Sequence, residues 1–190
     1  MSKSLVVIPR WGGNPESDWY PWIQTEAPFD SVHLMEMPDP NENPIEDWVA
    51  TIQNVVSVHP DRLAETIFVA HGAGCQALLH YFSKLPPGFK VGGALCVAGW
   101  WRVDKVWPGL LPWIATPLNR DRVRDVCDNF TVLISKNDPN SPDWAANKHM
   151  WESWLNADVI VISRAKGFNK AMEPAILKVL TRAFAEAPAA

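Results

Sequence analysis

The sequence is short of cysteine, of net positive charge and of long apolar runs, and each shortage closes off a class of protein. Cys75, Cys96 and Cys127 are an odd number with no CxxC spacing. Neither a disulfide framework nor a structural zinc site is expected of them, and they read as small buried hydrophobes. Lys and Arg number 17 against 21 Asp and Glu, a formal charge of −4. No cationic excess exists to displace phosphate counterions, so nucleic acid is not expected as a partner. No apolar run approaches the ~18 residues that a bilayer span needs. The apolar residues between Ser4 and Arg10 are too few for the core of a signal peptide. A cytoplasmic location is expected, with no membrane partner. No cofactor and no metal are called for.

What the chain does have is apolar material: 47% of its 190 residues are hydrophobic, enough for one sizeable core. A single domain over residues 1–186 is expected, with a frayed Pro-containing tail at 187–190. Short apolar runs alternate with stretches of helical spacing, the pattern of parallel strands joined by crossover helices. Strands are predicted at residues 4–9, 32–37, 66–71, 91–98, 130–135 and 158–163. Helices are predicted at 45–58, 75–84, from about Asn119, at 143–155 and at 171–185. The fold class is α/β, a mostly parallel sheet flanked by helices. Between the fourth and fifth strands lies an irregular stretch, residues 99–117, carrying Trp100, Trp101, Trp107 and Trp113.

In an open parallel sheet, ligands sit at the carboxyl ends of the strands. Chemistry is therefore sought in the loops at 9–22, 71–74, 99–117, 136–142 and 164–169. Ala70-His71-Gly72-Ala73-Gly74 follows a predicted strand and opens a predicted helix, the setting of a G-x-S-x-G nucleophile elbow. The serine position holds Gly72. Lys136-Asn137-Asp138-Pro139 follows a later strand, where such an elbow finds its acidic partner. Ala165-Lys166-Gly167-Phe168-Asn169 follows the last strand, where it finds its base, and no histidine is there.

In these segments the chain resembles the small, cap-poor serine hydrolases of α/β-hydrolase fold that include the retinoblastoma-binding-protein-type enzymes and their bacterial relatives. Residues 6–22 (VVIPRWGGNPESDWYPW) resemble that family's first strand, Gly-rich loop and tryptophan-bearing helix start. Residues 69–78 resemble its G-H-S-x-G-C elbow, residues 135–142 its S-x-D-D-P-x-x-P turn, and residues 167–169 its G-H-F-N ending. The resemblance implies an α/β-hydrolase-like three-layer fold with a short Trp-rich cap. It places the nucleophile at Gly72, the acid at Asp138 and the base at Gly167, or at Lys166 if the loop is shifted by one. Glycine can neither attack a carbonyl nor accept a proton, so Ser-His-Asp acyl transfer is not carried over.

Each remaining polar residue has two readings. Asp138 is either a carboxylate capping its own turn or a retasked acid or base with a pKa raised by a dry pocket. His71 either supports the elbow from within or faces the ligand. Lys166 is either solvated or a charge partner for Asp138. Arg10 follows the first strand, where the family's loop supplies one oxyanion donor, with the amide of Ala73 as the other; its side chain offers a positive charge or lies on the surface. Cys75 is either a buried thiol or an unconventional nucleophile. Trp11, Trp100 and Trp101, with Trp107, Trp113 and Trp19, form a flat apolar pocket, pack the cap, or make a homodimer surface.

The ligand-binding set expected from the sequence is thus Arg10, Trp11, His71, Gly72, Ala73, Trp100, Trp101 and Lys166, and the partner is a small apolar or aromatic molecule. Three functions fit. One is a non-hydrolytic enzyme, of cyclase, lyase or isomerase type, in which the vacated nucleophile space admits substrate. Another is an inert pseudo-hydrolase that binds a small ligand or a protein. The last is a hydrolase with an unconventional nucleophile.

Overall fold

A computed structural model describes residues 3–42, 44–56 and 59–185. Its centre is a six-stranded parallel sheet in the order β2-β1-β3-β4-β5-β6. The strands are β1 (Ser4–Ile8), β2 (Ser31–Leu34), β3 (Thr66–His71), β4 (Gly93–Val97), β5 (Phe130–Ser135) and β6 (Asp158–Ile162). The helices are α1 (Tyr20–Glu26), α2 (Ile45–Val55), α3 (Pro60–Ala64), α4 (Ala73–Lys84), α5 (Leu111–Ala115), α6 (Arg120–Val126), α7 (Trp144–Leu155) and α8 (Pro174–Leu180). A 3-10 turn at Pro108–Leu110 precedes α5, and a π turn at Thr181–Ala185 extends α8. Among the described residues no helix is long and apolar enough to cross a membrane.

The two-residue period of the strands divides the core. Val6, Ile8, Phe68, Ala70 and Cys96 join one apolar cluster with α2, α4, α6 and α7. Leu5, Val7, Ile67, Val69, Leu95 and Val97 join a second with α1 and α8. Both faces are covered, so the central strands carry continuous apolar runs instead of alternating ones. This is why β3 and β5 fall on the residues expected from the sequence.

Differences are confined to ends and short elements. β2 is an edge strand and stops at Leu34, three residues before the expected end. The closing helix begins at Pro174, not at 171, because proline takes the first helical position, where its missing N–H is no loss. α3 and α5, of five residues each, are too short to show a helical period. Asn119 and Asp143 accept the amides of Arg122 and Ala146 and so cap α6 and α7. Of the helix expected at 45–58, positions 57 and 58 lie outside the described residues, as does all of the expected tail at 187–190.

The strand order fixes where a ligand can sit. The chain runs from β1 outward to β2 and then back to β3 on the other side of β1. Connections leave β1 and β3 toward opposite edges, which opens a crevice beyond their carboxyl ends. Arg10 and Gly72 lie at its lips.

Candidate functional site

The turn from β3 into α4 is held from below. Gly74 packs so closely on β1 that a Cβ there would sit 2.4 Å from the Pro9 carbonyl oxygen and 2.9 Å from that of Ile8. Gly72 stands above it at φ 53° and ψ −117°, a backbone state costly for a residue with a Cβ and free for glycine. Its amide donates to the Val97 carbonyl at 2.9 Å. Ala73 opens α4, so its amide belongs to the set of helix N-terminal donors without a partner inside the helix. The turn therefore has the strained geometry of a nucleophile elbow at a residue without a side chain.

A cavity of about 390 Å³ lies over this turn. Arg10, Trp11 and His71 to Ala73 form one wall, Ala98, Trp100, Val103 and Trp107 another, and Asp138, Asn140, Gly167 and Asn169 the rest. Most of the expected ligand contacts are thus brought together, and two are not. Trp101 does not reach the cavity: its indole packs on Trp151 and Trp154, with centroids 4.9 and 5.0 Å away. Lys166 is exposed, and its backbone amide is held by the Asn137 side chain at 2.9 Å, outside the cavity wall. It is not a charge partner of Asp138.

Arg10 lines the cavity but offers no free charge. Its Nε donates to Asp18 Oδ2 at 2.7 Å, and Nη1 donates to the Trp11 carbonyl at 3.0 Å. Its backbone amide, expected to be an oxyanion donor, donates to Tyr20 Oη at 3.0 Å. Ala73 alone keeps that expected role. His71 is fully buried, with Nε2 donating to the Gly167 carbonyl at 2.6 Å. That tautomer leaves Nδ1 to accept from Tyr20 Oη at 2.8 Å. Burial pushes the His71 pKa down to about 4 and that of Tyr20 upward. With both nitrogens engaged, His71 is the support that ties the elbow to the loop after β6.

Asp138 is the ionisable cavity residue without an ionic partner. It is 6% exposed, and no cation among the described residues forms an ion pair with it. Burial raises its pKa, and the backbone amides of Asn140 and Ser141 partly oppose the rise. The Asn140 amide reaches Oδ1 at 2.9 Å. Beside it, Asn137 Oδ1 accepts from the amides of Ala165 and Lys166 at 3.1 and 2.9 Å. Asn137 thereby holds the loop in which the base was sought. At Gly167 a Cβ would meet Asn169 Oδ1 at 2.6 Å, so the Asn169 carboxamide occupies the space that a larger residue would claim.

Cys75 lies beneath the elbow. Its thiol faces the Ala70 and Val97 carbonyls at 3.3 and 3.6 Å, and it does not line the cavity. Of the tryptophans, Trp19 and Trp113 are fully buried packing residues. Trp107 does line the cavity and remains 38% exposed. Among the described residues no group of His, Cys, Asp and Glu is arranged to hold a metal ion. Sequence reasoning missed Asp18, Tyr20, Asn137 and Asn169 as parts of the site. Asp18 and Tyr20 stand within the loop that was searched, but they pair with Arg10 across that loop and, for Tyr20, with His71 of β3, which spacing does not reveal.

Comparisons with known proteins bear on the family and the fold. Residues 5–172 match the family model for serine hydrolases. YdeN of Bacillus subtilis (strain 168) is 26% identical over 145 residues, 75% of this chain and 74% of that protein. The crystal structure of the B. subtilis ydeN gene product superposes with a TM-score of 0.81 at 22% identity, covering 97% of this chain and 100% of that one. A YdeN-like protein from Pectobacterium atrosepticum gives 0.66 at 15% identity, covering 94% and 89%. The bottromycin epimerase BotH, solved with bottromycin A2, gives 0.60 at 11% identity, covering 96% and 89%. The fold is thus of the α/β-hydrolase type.

Proposed function

The chain belongs to the serine hydrolase family, and we propose that it is a triad-deficient member, of the small retinoblastoma-binding-protein type, acting as a non-hydrolytic enzyme. Its reaction is proton transfer at a carbon next to a carbonyl, an isomerisation of an apolar small molecule. One observation carries this reading: the elbow backbone at Gly72 and a buried carboxyl at Asp138 share one cavity, with no side chain at the nucleophile or base position. Asp138 as carboxylate removes the proton from the α carbon. The carbonyl oxygen, gaining negative charge, is held by the Ala73 amide at the start of α4. Asp138, now protonated, returns the proton to a neighbouring atom on the same face, the transfer that a single base can complete, and no co-reactant is consumed. A carboxyl with a raised pKa is a stronger base than an exposed one. The same fold carries an epimerase in BotH, so a non-hydrolytic task is compatible with the scaffold.

The test is deuterium exchange. Apolar aryl ketones and 1,3-dicarbonyl compounds in D2O are expected to lose their α-proton NMR signals at least about 100-fold faster with the protein than in buffer. Asp138→Asn should return the rate to background. In the active chain the rate should rise with pH as Asp138 ionises, above the pH range of an ordinary aspartate. p-Nitrophenyl acetate should be hydrolysed no faster than in buffer. Ester turnover by the unmodified chain, or exchange indifferent to Asp138→Asn, defeats the proposal. A second reading, an inert binder of a small ligand or protein partner, is favoured by the way Asn140 and Ser141 tie the Asp138 carboxyl into its own turn. Saturable binding without exchange would select it.

A further inference from the structure

The charges around the cavity do not balance. The Arg10 guanidinium is matched by Asp18, with Nε 2.7 Å from Oδ2. His71 has both ring nitrogens committed, one of them donating to a carbonyl and the other accepting from Tyr20. Lys166 is exposed and outside the cavity wall. Asp138 is left as a buried carboxylate lining the space, held by the backbone amides of Asn140 and Ser141 but, among the described residues, paired with no cation. Holding a charge in such a place is costly unless the ligand supplies its opposite.

The other cavity walls favour the same kind of ligand. Trp11, Trp100 and Trp107 line the space, and the indoles of Trp11 and Trp107 meet at 90° with centroids 5.2 Å apart. Indole faces attract positively charged groups more strongly than other aromatic rings do, and most strongly where water is excluded. A neutral aromatic ligand would also pack on these rings. It would leave Asp138 with its two backbone amides and no counter-charge. An alkylammonium group fills the same volume and meets both demands.

We propose that the cavity over Gly72 takes an organic cation, an alkylammonium group seated among Trp11, Trp100 and Trp107 with the Asp138 carboxylate as its counter-charge. This deepens the proposed function by naming a ligand class, and it rests on reading this cavity as the ligand site. The substrate is then an apolar carbonyl compound that carries a quaternary or tertiary ammonium group, and the Asp138 carboxylate that faces the cation is the same one that takes the α proton.

Isothermal titration calorimetry with choline and with 3,3-dimethylbutan-1-ol, its uncharged carbon isostere, tests the assignment. Choline should bind at least about tenfold more tightly than the isostere. Asp138→Asn should cut choline affinity about tenfold and leave the isostere unchanged. Trp107→Leu, on the exposed cap where folding is not at risk, keeps apolar bulk and should weaken choline several-fold while sparing the isostere. Equal affinities for the two compounds, or heat from neither, overturns the cation assignment. Deuterium exchange is scored in parallel. Exchange without cation preference sinks the ligand class alone, whereas cation preference without exchange sinks the catalytic reading alone.

Discussion

The elbow wall of the cavity, residues 8–13 and 71–75, and the cap wall, residues 99–117, enclose the same space by different means. In the elbow wall nearly every polar atom described above is spoken for: His71 bridges Tyr20 and the Gly167 carbonyl, Arg10 bridges Asp18 and the Trp11 carbonyl, and the Gly72 amide bonds to Val97. The cap wall has a turn of three residues and a helix of five. It exposes Val106, Leu111 and Ile114 at 47%, 56% and 44%. Interlocked hydrogen bonds and close backbone contact fix a geometry, while apolar surface on short elements shapes a ligand. The elbow wall holds its backbone in place by these bonds, with glycine at position 72.

The contrast is broken most directly by one substitution in each wall. Gly74→Ala places a Cβ 2.4 Å from the Pro9 carbonyl oxygen, just past β1, and 3.0 Å from Ile8 Cγ2. Neither neighbour is the loose end of a flexible side chain, so the sheet or α4 must move. A loss of roughly 3 kcal/mol is expected, a fall of roughly 6–12 °C in Tm for a domain of this size. Leu111→Ser on the cap should change stability by no more than about 0.5 kcal/mol. Urea unfolding of the two variants side by side checks this. Equal losses would mean that the cap is as tightly integrated as the elbow.

Acid sharpens the comparison further, because the elbow wall holds a buried neutral histidine. Burial depresses the His71 pKa to about 4 from an ordinary 6.5. A group whose pKa is lowered in the fold contributes stability that is present above the unfolded pKa and lost as pH falls through the folded one. The window is therefore from about pH 6.5 down to about pH 4, and the loss is roughly 3 kcal/mol across it. Asp138 works the other way. Its pKa is raised, so protonation favours the fold and offsets part of the loss at the acid end. Urea midpoints at pH 7.5, 5.5 and 4.0 should fall in that order, and His71→Asn should flatten the upper part of the curve. A slope unchanged by His71→Asn would remove the imidazole from the elbow's support.

How much of this was visible in the sequence differs between the walls. The sheet was legible because its central strands are buried on both faces and announce themselves as apolar runs, as at Thr66–His71 and Phe130–Ser135. The elbow was legible because Gly72 and Gly74 stand between a strand and a helix. Trp100 and Trp101 read alike in the chain, yet one lines the cavity and its neighbour packs on Trp151. Neighbouring residues in an irregular segment have no period to assign them to a face. Arg10 looked like a free cation because Asp18, eight residues away, reaches it through a loop whose course no propensity specifies.

The smallest expected effect tests the proposed correspondence of residues 72, 138 and 167 to a triad. If residues 72, 138 and 167 hold the positions of nucleophile, acid and base, Gly72→Ser together with Gly167→His should restore ester hydrolysis. A serine at 72 must adopt φ 53°, at a cost of about 1–3 kcal/mol, but its Cβ meets only Arg10 Cβ at 3.3 Å and Arg10 Cα at 3.9 Å. A histidine at 167 displaces the Asn169 carboxamide, the free end of a side chain, from 2.6 Å. Asp138 is then available to orient the new imidazole with the oxygen not bound by Asn140. A rise of roughly 100-fold in p-nitrophenyl acetate turnover over the unmodified chain is expected, below a mature triad because Ala73 supplies the one expected oxyanion amide that Tyr20 does not claim from its partner Arg10. Each single substitution should stay within about tenfold of the starting rate, since a hydroxyl without a base and a base without a hydroxyl gain little. A folded double variant with no turnover would place the base elsewhere and dissolve the correspondence between this elbow and the loop after β6.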